Sequence, residues 1–121
     1  MLDNETLIAI ADELVEADRS GIPIPLLTAR YPGMTVEDSY AIQGIWKQRG
    51  LESGRRLVGR KIGLTSKVMQ VATGITEPDY GIIFDDMVYE TGSVIDSSRY
   101  INTRIEVELA FVLSKPLSGP Y

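Results

Sequence analysis

The chain has 121 residues, 44% of them apolar and 24% charged, the composition of a soluble globular chain with room for one small core. It contains neither Cys nor His, which excludes disulfides, thiolate chemistry, histidine general bases and Ser-His triads. Seventeen acidic against twelve basic residues leave a net charge of −5, which argues against nucleic acid as a partner, and no apolar run approaches the ~18 residues of a membrane span. The acidic start Met1-Leu2-Asp3-Asn4-Glu5 is unlike a secretory signal, so a cytoplasmic protein acting on a small molecule is expected. Chemistry in such a chain falls to carboxylates, lysine, hydroxyls, backbone amides or a bound cation.

From Asn4 to Ala17, Leu7, Ile8, Ala11, Leu14 and Val15 fall on one helical face, and Gly21-Ile22-Pro23-Ile24-Pro25 ends the pattern. A second helix is expected from Thr35, where Asp38 three residues on makes a capping box. Its buried stripe is Tyr40, Ile42, Ile45 and Trp46, with Gly50 as the expected stop. Residues 1–54 thus read as a helical region.

Beyond Gly54 the pattern turns to β. Leu57 to Leu64 reads as a strand and Ser66 to Ala72 as one or two helical turns. Glu77-Pro78-Asp79-Tyr80-Gly81 reads as a turn-rich loop, with Asp79 either an Asx-type turn residue or a carboxylate presented into a cleft. Ile82 to Tyr89, Ser93 to Ile95 and Arg104 to Ser114 are further strand candidates, Asp85-Asp86 being turn residues. Pro116 and Gly119-Pro120 then break the chain. The apolar strand stands so close to Tyr121 that residues 55–121 are expected to be the first part of a larger mixed β core.

Two segments carry candidate chemistry. In Leu57-Val58-Gly59-Arg60-Lys61-Ile62-Gly63-Leu64, Lys61 shares a face with Gly59 and Gly63, which leaves room for a ligand above the sheet. A lysine partly buried there would have a lowered pKa and exchange protons near neutrality; the alternative is a surface lysine laid along the sheet. Ser66 opens the next helix and reads as its cap, beside free amides that could hold a carboxylate. In the last strand candidate Ile105, Val107, Leu109, Phe111 and Leu113 share one face, and Glu106, Glu108, Ala110 and Val112 the other. Side chains two apart on a strand lie ~6.6–6.8 Å apart and parallel, so Glu106 and Glu108 can converge on one hard cation. If Ala110 and Val112 mark a covered face, the two like charges need a counter-cation; the alternative is a half-exposed strand with its glutamates in water.

Taken in order, Lys61-Ile62-Gly63-Leu64-Thr65-Ser66, Met69-Gln70, Glu77-Pro78-Asp79-Tyr80-Gly81, Asp85-Asp86-Met87 and Arg104-Ile105-Glu106-Val107-Glu108-Leu109-Ala110-Phe111 form a recognisable set. The set resembles the 2-oxo-hept-4-ene-1,7-dioate hydratases of 4-hydroxyphenylacetate breakdown. Those stand with the 2-hydroxypenta-2,4-dienoate hydratases and 4-oxalocrotonate decarboxylases in the fumarylacetoacetase-like fold. The resemblance implies an α+β fold, two N-terminal helices followed by mixed β strands, forming the N-terminal half of that fold. It implies a Mg²⁺ or Mn²⁺ ion held by Glu106 and Glu108, with a third carboxylate from beyond residue 121. It implies Lys61 and Asp79 in proton transfer and, with Ser66, in substrate binding. The reaction implied is addition of water to a 2-hydroxy-2,4-dienoate or its 2-oxo tautomer, in a homo-oligomer when full-length. A sister decarboxylase and a non-catalytic truncated chain are the alternatives.

Overall fold

A computed structural model of the chain describes residues 1–118. The first helix, α1 (Asn4–Ser20), starts where the Asp3 carboxylate accepts the Thr6 amide at 2.8 Å. It runs three residues past the expected end, because the Glu16–Arg19 pair and the Ser20 hydroxyl hold its last turn. Gly21, at a left-handed φ of 70°, closes it by donating to the Ala17 carbonyl. A single helical turn, α2 (Leu27–Arg30), follows.

The expected capping box is present at α3 (Val36–Glu52). The Asp38 amide donates to Thr35 Oγ1 at 3.2 Å and the Thr35 amide to Asp38 Oδ2 at 2.9 Å. Buried Asp38 also accepts the Leu2 amide at 3.0 Å, tying the N-terminal segment to α3. Leu7, Ile10, Ala11 and Ile42 make the core between α1 and α3. Ile10 lies outside the face read from the sequence, and Ile8 and Val15 are only half-buried, outside the core.

Gly50 does not stop α3. It is buried inside the helix under the ring of Phe84, and a Cβ there would collide with that ring. The helix ends instead at Ser53 and at Gly54, whose φ is 93°.

The sheet is two-stranded and antiparallel, β1 (Leu57–Gly63) against β2 (Asp79–Phe84). Leu64, left-handed at φ 54°, ends β1, and α4 (Lys67–Thr73) follows. The second strand begins at Asp79 rather than Ile82, so Asp79 is a strand residue and not part of a loop. It ends at Phe84 because Asp85 turns the chain: its carboxylate accepts the Arg56 amide at 2.9 Å, and Asp85–Met87 is a 3₁₀ turn.

The described residues contain no strand at 93–95 or 104–114. Alternation needs a hydrogen-bonded neighbour to become a ladder, and residues 104–114 meet none among the described residues. Side chains of both parities there are open to solvent, Val107 at 99% and Val112 at 97%. The expected covering of the Ala110 and Val112 face is therefore absent from these residues. The break expected at Gly119-Pro120 lies outside the described residues.

Candidate active site

The antiparallel register sets Lys61 opposite Gly81 and Gly63 opposite Asp79. Opposed residues share a face, so Lys61 and Asp79 are diagonal neighbours on one side of the sheet. The glycines have separate roles. Gly63 gives its space to Asp79, whose carboxylate would collide with any Cβ there. Gly59 lies against the Ile83 side chain at ordinary contact distance. The open ground beside the lysine is over Gly81, where nothing lies within 4 Å of a built Cβ. The sequence placed that opening over Gly59 and Gly63, since it could not show which residue of another strand faces Lys61.

Helix α3 holds this corner of the sheet. The Tyr40 ring stacks on Tyr80 at 4.7 Å, and Gln43 Nε2 donates to the Tyr80 carbonyl at 3.0 Å. A cleft of about 530 Å³ opens between helix and sheet, lined by Ser39, Tyr40, Gln43, Lys61 and Asp79 among others. Tyr40 was legible as part of a buried stripe. Gln43 carried no sequence signal, because its role is set by the backbone it meets. Ser66 is the N-cap residue of α4 by position, makes no side-chain cap bond, and lies outside the lining of the cleft. Below it buried Gln70 donates to the Leu64 carbonyl at 2.7 Å, which pins the left-handed residue between β1 and α4.

Lys61 meets both glutamates. Its Nζ lies 2.9 Å from Glu106 Oε2 and 3.2 Å from Glu108 Oε1. The three side chains are each about half exposed. Bonding to Glu106 and then to Glu108 raises the lysine pKa above its ordinary 10.5. Of the two readings the sequence left open, the lowered value is corrected, because Lys61 is neither deeply buried nor unpaired. As placed here it is a charged proton donor.

Two carboxylates that close on one ammonium can close on another cation, so this pair fits as part of a divalent-metal site. No group of three or more Asp and Glu side chains suited to a metal is present among the described residues. The remaining ligands would be water or groups from elsewhere.

A helix pair packed on an antiparallel sheet thus places a lysine and three carboxylates beside one cleft. No protein-family model matches the chain. It is 49% identical over 120 residues to 2-oxo-hept-4-ene-1,7-dioate hydratase of Escherichia coli, covering 99% of this chain and 45% of that protein. It is 47% identical over 107 residues to 2-keto-4-pentenoate hydratase of Paraburkholderia xenovorans, covering 88% of this chain and 40% of the relative. The solved 4-oxalocrotonate decarboxylase of Pseudomonas putida G7, complexed with magnesium and adipate, superposes with a TM-score of 0.81 at 32% identity. That match covers 84% of this chain and 38% of the decarboxylase. The chain is similar to these hydratases and decarboxylases in sequence and shares the fumarylacetoacetase-like fold of the solved decarboxylase, and it spans about half the length of the curated relatives it matches.

Proposed function

We propose that the chain carries part of the active site of a divalent-metal-dependent hydratase. Its substrate would be a 2-hydroxy-2,4-dienoate or 2-oxo-enoate of aromatic catabolism, 2-oxohept-4-ene-1,7-dioate being the leading candidate. The observation that carries this reading is the convergence of Glu106 and Glu108 on one cationic group beside the cleft that Lys61 and Asp79 line. The 49% identity to a hydratase supports it. Residues 1–54 are the helical support and residues 55–121 a part of the catalytic core. The whole enzyme is proposed to be a cytoplasmic homo-oligomer.

Glu106 and Glu108 would hold Mg²⁺ or Mn²⁺. When bound, the ion supplies positive charge that stabilises the enolate-like oxygen at C2 of the substrate. Lys61 and Asp79, on one face, transfer the proton that converts the 2-hydroxydiene to the 2-oxo-enoate and orient the substrate for addition. Water then adds across the conjugated double bond, its oxygen to C4 and its proton to C3. A decarboxylase is the second reading, favoured by the structural likeness to 4-oxalocrotonate decarboxylase.

The test has two arms. Calorimetric titration with Mn²⁺ is expected to lose most of its binding in Glu106→Gln and in Glu108→Gln alike; undiminished binding in both variants places the metal elsewhere. Loss of the 2-hydroxydienoate chromophore is then followed in the 121-residue chain and in a fusion joining it to the portion of the E. coli relative that it does not match. Turnover is expected from the fusion and little from the short chain. Product analysis, water gained against CO₂ lost, decides between the two reactions.

A further inference from the structure

We infer that Lys61 is a built-in counter-cation that competes with a divalent metal ion for the Glu106–Glu108 pair, and that the metal's arrival turns the lysine toward Asp79. The inference rests on the proposed reading of those glutamates as metal ligands. Its starting point is the position of the ammonium, 2.9 Å from one carboxylate and 3.2 Å from the other. An ammonium shared by both carboxylates fills the place a shared metal ion needs. Two positive ions at contact distance from the same carboxylate pair repel each other, so each weakens the other's hold. Among the described residues no second lysine or arginine is paired with either glutamate.

The exchange is easy in this setting. All three side chains are about half exposed, and ion pairs so exposed are weakly held. A divalent ion carries twice the charge and binds carboxylate oxygen closely. The displaced lysine also has somewhere to go. The ground over Gly81 is open, and Asp79 is its diagonal neighbour on the same face, within reach of a long side chain. The same lysine would thereby neutralise the glutamates before the metal arrives and point into the cleft afterwards.

The 121-residue chain is titrated with Mn²⁺, binding being read from water-proton relaxation, beside Lys61→Met, Lys61→Arg, Glu106→Gln and Glu108→Gln. Circular dichroism checks that each variant keeps the parent's helix content, and the half-exposed position of Lys61 allows it. Removing a unit charge a few ångströms away is expected to tighten Mn²⁺ binding about fivefold in Lys61→Met at low salt. Lys61→Arg is expected to stay near the parent, and the difference between parent and Lys61→Met to shrink toward 1 M salt. Unchanged or weaker binding by Lys61→Met, with either glutamate variant still crippled, overturns the competition and leaves the ligand reading standing. Undiminished binding by Glu106→Gln and by Glu108→Gln alike removes the ligand reading and the inference together.

Discussion

Lys61→Met in the fusion with the unmatched portion of the E. coli relative is expected to lower kcat about 10²–10⁴-fold, the usual contribution of a positioned proton donor or acceptor, while KM changes little. The site geometry sets that asymmetry. Without metal, Lys61 Nζ is held by Glu106 and Glu108 at the edge of the cleft, and once the metal holds that pair the ammonium is left facing Asp79 on the same side of the sheet. Methionine keeps an unbranched stem and removes the ammonium, so the register that sets residue 61 opposite Gly81 and diagonal to Asp79 survives. An effect on substrate binding alone would raise KM and spare kcat. The same variant is expected to bind Mn²⁺ more tightly, and a merely damaged site would not combine slower turnover with a better-held metal. An unchanged kcat would remove Lys61 from the chemistry.

The helices were legible because their signals are local. Leu7, Ala11 and Leu14 repeat at helical spacing, and Thr35 with Asp38 caps α3 as the capping-box rule requires. The turn at Asp85-Asp86 was legible for the same reason. What failed depended on distant partners. Gly50 carries the signature of a helix stop, yet its smallness serves the ring of Phe84, thirty-four positions on. Lys61 between glycines reads as a buried base, but two glutamates more than forty residues away make it a firmly charged ammonium. Residues 104–114 have the alternation of a strand, and alternation fixes faces without supplying the neighbour that makes a ladder. Lys61, Asp79, Glu106 and Glu108 could therefore be selected by type and pattern. That Lys61 meets both glutamates, and stands diagonal to Asp79, followed only from the fold.

Phe84→Ala is expected to destabilise the chain by about 3–5 kcal/mol, the range for deleting a fully buried phenylalanine. Phe84 is the last residue of β2 and has no solvent exposure. Its ring meets Trp46 of α3 at 5.4 Å and lies over Gly50, while the Arg55 guanidinium covers it at 4.2 Å. Arg55 is fixed in turn by Asp86 at 2.9 Å. One side chain thus fastens the sheet to the helices, and its loss leaves a cavity that Gly50 cannot fill. Total stabilities of small domains are only about 5–15 kcal/mol, so the loss is a large fraction of the total. Urea unfolding followed by Trp46, the single tryptophan, reports directly on this contact. Gly50→Val approaches the same joint from the opposite side and is expected to destabilise by overpacking, by roughly 1–3 kcal/mol. A Phe84→Ala loss below about 1 kcal/mol would mean that the sheet is held to α3 mainly by the Tyr40–Tyr80 stack and the Gln43 bond. In that case Gln43→Ala, which removes the donor to the Tyr80 carbonyl, should be the more damaging change.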